Sequence, residues 1–177
     1  MAQTAETKKR AVSPAINIAG PADEAALISV LTLAFSSDPM ARWSQPDPRG
    51  YLENFPLFVK AFGGNALDHG TAYFADGYTG AALWLPPGIG PDERTLAELV
   101  ESTSSDTIKP DLYAIFEQME KYHPKEPHWY LPMIGVDPSQ QGNGVGSALM
   151  EYALVSCDRE GLPAYLESSN PENISLY

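Results

Sequence analysis

Residues 128–149 read HWYLPMIGVDPSQQGNGVGSAL, and this stretch decides how the rest of the chain is read. An apolar run from Trp129 to Val136 has strand character. A short polar link from Asp137 to Gln141 follows, and then glycine recurs at alternate positions, Gly142, Gly144 and Gly146. Beyond them Val145, Ala148, Leu149, Tyr152 and Ala153 fall at the i, i+3, i+4, i+7, i+8 spacing of a helix with one buried face. A helix that opens on bare backbone presents unpaired N–H groups at the positive end of its dipole, which makes it an anion cradle. Pro132 interrupts the strand. Proline cannot donate to a ladder, so this strand lies at an edge or is bulged there.

Downstream, Gly161 is a natural helix stop and Ala164 to Glu167 reads as the next strand. Strand, glycine turn, helix, strand implies a parallel pair joined by a right-handed crossover. Asn170-Pro171-Glu172 opens a further helix, with Asn170 as N-cap and proline in the first turn.

Upstream, residues 1–13 are polar, small and of mixed charge, and read as a flexible lead-in to one domain over 14–177. Ala15 to Ala19 suits a short strand. Leu27, Ile28, Leu31, Ala34 and Phe35 then recur at helical spacing until Ser36-Ser37-Asp38-Pro39. A second helical run covers Gly50 to Phe62 and ends at Gly63-Gly64; its Tyr51, Phe55, Phe58 and Phe62 form one stripe. Thr71 to Ala75 and Gly80 to Leu85 form a hairpin across Asp76-Gly77-Tyr78-Thr79. Residues 91–127 hold two helical runs, Glu93 to Glu101 and Leu112 to Tyr122, inserted between strands.

The 177 residues, 44% of them hydrophobic, are enough for one domain with a real core. No apolar run reaches the roughly 18 residues of a membrane span. The single cysteine, Cys157, rules out an internal disulfide framework and fits a reducing compartment, so the expected location is cytoplasmic. Net charge is −12, and −14 from Ser13 onward. That balance repels nucleic acid and anionic membrane and attracts a cationic partner such as an amine. Three histidines without ligand spacing give no metal site.

Gln141-Gly142-Asn143-Gly144-Val145-Gly146 resembles the Gln/Arg-x-x-Gly-x-Gly/Ala signature of the GNAT superfamily of N-acetyltransferases. Ile134 to Pro138 before it and Ser147-Ala148-Leu149 after it extend the likeness, as do Asn170 and the Leu176-Tyr177 pair. The resemblance implies an α/β fold of the α+β type. Its mixed, mostly antiparallel sheet carries a bulged strand and a splayed parallel pair, flanked by helices.

It further implies acetyl-CoA as co-substrate, with no metal, and an amine of a small molecule, or less favourably of a peptide, as acceptor. Backbone N–H groups of Gln141, Gly142, Asn143, Gly144, Val145 and Gly146, with Ser147 and Asn170 nearby, would hold the cofactor. Free backbone at Ile134 and Val136 would pair with the pantetheine arm. Arg or Lys often stands where this chain has Asn143, so the loop relies on its backbone. Tyr177 falls where the family has a tyrosine that protonates the departing thiolate, and His123, His128 and Glu167 are candidate bases. Relatives continue past this tyrosine with two more strands. None follows Tyr177, so the expectation is a domain truncated at its C-terminal end, a fragment of a longer chain, or a sheet edge completed by another chain or in a homodimer.

Two other readings compete. One is a dinucleotide-binding oxidoreductase fragment, with Glu167 as the acid; Ser147 in the last glycine position speaks against it. The other is a non-catalytic acetyl-CoA-binding or interaction module.

Overall fold

The computed structural model describes residues 14–177, so the lead-in expected over residues 1–13 lies outside the described residues. Five strands pair in the order β1-β2-β3-β4-β5. They are β1 (Ile16–Ile18), β2 (Ala72–Ala75), β3 (Gly80–Leu85), β4 (Trp129–Val136) and β5 (Ala164–Tyr165). The first four run antiparallel to their neighbours, and only β4 and β5 are parallel. This is the mixed, mostly antiparallel sheet with one parallel pair that the sequence implies.

Every residue of β3 is buried, which is what a continuous apolar run between two covered faces requires. Ala81, Leu83 and Leu85 face one cluster with Leu27, Leu31, Val59, Tyr130 and Met133. Ala82 and Trp84 face the other, with Trp129, Leu131, Leu149, Ala153 and Cys157. Helices α1 (Glu24–Ala34) and α3 (Pro48–Gly63) cover the first face, and α7 (Val145–Glu160) covers the second. Among the described residues, no helix is long and apolar enough to cross a membrane.

The hairpin between β2 and β3 turns through a short 3-10 segment with Gly77 at φ 70° and Tyr78 at φ 54°. A tyrosine in the left-handed region is held there by its own contacts. Its hydroxyl donates to Asp23 Oδ1 at 2.6 Å and its ring stacks on Phe74 at 4.6 Å.

Two short helices depart from the sequence reading. Asp38-Pro39 ends α1 as expected, but the same pair starts α2 (Pro39–Ser44). Asp38 Oδ1 accepts from the N–H groups of Met40 and Ala41, both at 3.0 Å, and proline occupies the first turn. Gly63-Gly64 does not break the chain direction for long, because Gly64 keeps right-handed helical geometry and α4 (Asn65–Asp68) follows. The insertion forms α5 (Glu93–Thr103) and α6 (Lys109–Tyr122), each longer than its apolar pattern. Strand β5 is shorter than Ala164 to Glu167, and the last segment is a 3-10 turn, Pro171–Ser175, rather than an α-helix. Asn170 caps that turn, its Oδ1 accepting from Glu172 N at 3.0 Å.

Candidate active site

Strand β4 is both central and bulged, and the bulge lies at Pro132. Leu83 pairs with Met133 and Leu85 with Tyr130, so three steps on β4 oppose two on β3. The extra residue resets the alternation: Leu131 faces the α7 side while Met133 faces the α1 side. Strands β4 and β5 pair only at Trp129↔Ala164 and Tyr130↔Tyr165, and separate where the bulge begins.

Register then fixes where the freed backbone points. Asp137 N donates to Thr79 O at 2.9 Å, which makes that a hydrogen-bonded pair; counting back, Gly135 and Met133 share its phase. Ile134 and Val136 therefore direct N–H and C=O away from β3, into the opening toward β5. The side chain of Gln141 confirms this direction at one point, donating to Val136 O at 3.3 Å.

The glycine loop closes one end of that opening. Gly142 and Gly144 have φ of 76° and 80°, and a Cβ at either would meet nothing within 4 Å; backbone conformation, not crowding, calls for glycine there. Gly144 is the N-cap of the 16-residue α7, and the first N–H to donate into the helix is that of Ala148, to Gly144 O at 3.0 Å. Among the described residues, the backbone N–H groups of 141–147 donate to no protein acceptor. Asn143 donates from its side chain to Gln140 O at 3.2 Å, and Val145 packs into the α7 core. No cationic side chain belongs to this loop. The loop itself therefore offers an anion its backbone N–H dipoles and no cation of its own.

Gly146 brings three elements together. A Cβ there would lie 3.7 Å from Val136 Cγ2 and 3.5 Å from Leu176 Cδ2, so the last turn of the chain packs over the start of α7. Tyr177 follows directly. It lines a cavity of about 270 Å³ that opens from the splay between β4 and β5. Burial, and then the Asp38 carboxylate, push the Tyr177 phenol above its ordinary range, so it is a proton donor at neutral pH.

The cavity walls are mostly apolar. Phe55, Phe58 and Phe62 come from α3, Leu96 and Val100 from α5, Ile115, Phe116 and Met119 from α6, and Pro132 and Ile134 from β4. The α3 stripe is a ladder of rings at 4.8, 5.6 and 5.1 Å along Tyr51, Phe55, Phe58 and Phe62, so it serves core and cavity together. Asp38 reaches the cavity but is spent on structure: besides capping α2, it accepts from Ser169 Oγ at 2.6 Å, tying the segment after β5 to α2.

Of the sequence-derived site residues, the structure brings Ile134 and Tyr177 to the cavity, and sets Val136 and the loop from Gln141 to Ser147 at its outer end. Asn170 is used locally as a cap. Glu167 lines the cavity; His123 meets Tyr130 and Tyr165 edge to face, and His128 meets Tyr165 in the same way. Sequence reasoning missed Tyr130 and Tyr165, whose only signal is their place on either side of the expected bulge. Cys157 is buried on α7, where burial raises its thiol pKa. Among the described residues no group of three or more His, Cys, Asp or Glu is arranged to hold a metal ion.

Comparison with known proteins places these features. Residues 112–177 match the acetyltransferase (GNAT) family. A stretch of 49 residues is 47% identical to an uncharacterised N-acetyltransferase of Schizosaccharomyces pombe, covering 28% of this chain and 20% of that protein. The match thus spans about a fifth of the relative's length. In three dimensions the chain resembles a histone acetyltransferase HPA2 and related acetyltransferase from Corynebacterium glutamicum. There the identity is 26% and the TM-score 0.65, covering 94% of this chain and 82% of that one. A mutant agmatine N-acetyltransferase in its apo form superposes at TM-score 0.61 with 15% identity, over 93% of this chain and 80% of that one. Arylalkylamine N-acetyltransferase 2 from Aedes aegypti gives 0.59 and 14%, over 92% and 79%. At such identities the last two share the fold.

Proposed function

The chain carries the GNAT-superfamily acetyltransferase fold and domain, and from that premise we propose that it moves an acetyl group from acetyl-CoA to the amine of a small molecule. One observation carries the reading. The backbone of Ile134 and Val136 is turned into a splayed strand pair, beside a helix-opening glycine loop whose N–H groups are unspent. The residues suit the cofactor: an extended amide-bearing arm adds to the free side of β4 as a strand would, and a pyrophosphate meets the loop backbone of 141–147.

Bound acetyl-CoA supplies an activated acetyl thioester. The protein's part is to position and to handle protons. The Val136 N–H, or a neighbour on the free side of β4, donates to the oxygen on which negative charge develops. Tyr177, held protonated, gives its proton to the leaving sulfur. The apolar cavity excludes water and holds the body of the acceptor, so the amine attacks directly with no covalent enzyme intermediate. Apolar walls favour an amine on a hydrocarbon or aromatic frame. An amine acceptor agrees with the surplus of acidic residues, and with the names of the agmatine and arylalkylamine enzymes that share the fold. The cytoplasm is the proposed location, and the short β5 edge the place where a second copy or another chain would join.

Acetyl-CoA at a hundred times its Kd should stabilise the protein by about 2.7 kcal/mol and raise the Tm by several degrees. Gly144→Glu places charge and a strained side chain at the loop and should abolish the shift, while the left-handed backbone at φ 80° lowers the unliganded Tm by roughly 2–8 °C without unfolding the protein. A wild-type protein that shows no shift at millimolar acetyl-CoA has no such site.

A further inference from the structure

Behind Glu167, two histidines form a line whose hydrogen bonds have a direction. His128 Nδ1 lies 2.8 Å from the carbonyl oxygen of Glu126. A carbonyl only accepts, so Nδ1 carries the proton and, in the neutral ring, His128 Nε2 is bare. His128 Nε2 lies 2.9 Å from His123 Nε2, so the His123 nitrogen must be the donor. His123 Nδ1 is then bare in its turn, and it faces Glu167 Oε1 at 3.8 Å. That oxygen is buried and has no hydrogen-bond partner among the described residues, while the residue itself lines the cavity. The rings of Tyr130 and Tyr165 lie side by side, 6.0 Å apart, and meet His123 at a steep angle at 4.8 and 5.0 Å. Burial raises both phenols, and the charge and hydrogen bonding of the neighbouring Glu167 carboxylate raise them further. They stay neutral, so the acidic and basic groups facing one another here are Glu167, His123 and His128.

We propose that Glu167, His123 and His128 form a proton exit relay that deprotonates the acceptor amine and delivers its proton to solvent. This rests on the acetyl-transfer reading. Glu167 takes one proton from the acceptor ammonium in the cavity, leaving the neutral amine with its attacking lone pair. The carboxylic acid passes that proton to the bare His123 Nδ1, the 3.8 Å gap closing by rotation of the carboxyl group or through one water. His123 releases its Nε2 proton to His128 Nε2, and His128, toward the surface, gives a proton to water. One proton leaves the ammonium and one enters solvent; the rings regain their starting tautomers through solvent exchange. Glu167 is the catalytic base in this scheme, and the histidines are positioning and transfer groups. The relay also accounts for a base being absent from β4 itself, whose residues from Trp129 to Val136 include no carboxylate.

Long-range proton–nitrogen NMR of the ring nitrogens, on the full chain without ligand at a pH where both rings are neutral, tests the direction of the line. His123 should be the Nε2–H tautomer and His128 the Nδ1–H tautomer. The reverse pattern in either ring overturns the relay whatever reaction the protein performs. The second arm follows kcat/KM against pH with acetyl-CoA and the fastest of 2-phenylethylamine, hexylamine and spermidine. Glu167→Gln should lower the rate at pH 7 by roughly a hundredfold and regain it as pH rises, because alkali supplies the free amine. His128→Gln, a change nearer the surface, should give a smaller loss, roughly threefold to tenfold, with the same alkaline recovery. A loss that is equal at every pH, or none, overturns the relay. Failure of all three amines together with absence of an acetyl-CoA thermal shift counts against acetyl transfer itself, while the tautomers still judge the line.

Discussion

Tyr177 shows how a residue's role depends on what folds against it. The sequence places it where relatives have an acid; the structure sets it in the cavity wall, with Leu176 packed over Gly146 of the glycine loop. Its phenol is raised by burial and by Asp38, which keeps the proton available. Tyr177→Phe should therefore reduce kcat by roughly tenfold to a hundredfold and leave the acetyl-CoA thermal shift unchanged. Full turnover in the variant would remove Tyr177 from proton transfer. At this scale the loop glycines could be singled out in the sequence as candidates because they form a short local pattern, and Tyr177 because of the family resemblance. The meeting of Glu167 with His123 and His128 could not. It depends on the parallel register Trp129↔Ala164, which aligns segments far apart in the chain, and no local spacing encodes that.

The elements were legible where one signal dominated. Pro132 forecast the bulge, and the apolar period forecast α1, α3 and α7. Where one dipeptide carries two messages, the reading went short: Asp38-Pro39 stops one helix and caps the next, and Gly64 reads as a breaker while holding helical geometry. Packing adds a constraint that no period shows. Gly135 on β4 lies under α1, and a Cβ there would come to 2.6 Å from Ala34 Cβ and 3.2 Å from Leu31 Cδ2. Gly135→Ala must push α1 off the sheet and should cost about 1–3 kcal/mol. At this chain length the Tm should fall by roughly 2–4 °C per kcal/mol. Gly90→Ala, with nothing within 4 Å of its Cβ, is the control. Equal melting temperatures for the two variants would refute the close approach of α1 to β4.

For the molecule as a whole, buried phenols tie stability to alkaline pH. Burial raises Tyr51 and Tyr130, and Tyr165 is pushed up to about 12. In the unfolded chain a tyrosine ionises near 10, so the unfolded state loses these protons first. Their contribution is whole below about pH 10 and is lost as pH climbs through the folded values. The urea midpoint should thus fall between about pH 9 and pH 11.5, and a constant midpoint would contradict the burial of these rings. The molecule's architecture was readable from the family resemblance, which its strand and helix order suited. The cavity was not, because its walls come from α3, α5 and α6 closing on β4, contacts that only the assembled chain makes.

The central claim is acetyl transfer to an amine, and release of free CoA thiol from acetyl-CoA, followed against a panel of aromatic, aliphatic and polycationic amines, tests it most directly. Release should require both acetyl-CoA and an amine and be fastest for amines on an apolar frame, with one acetylated amine formed for each thiol. Thiol release that is the same with and without every amine would contradict it.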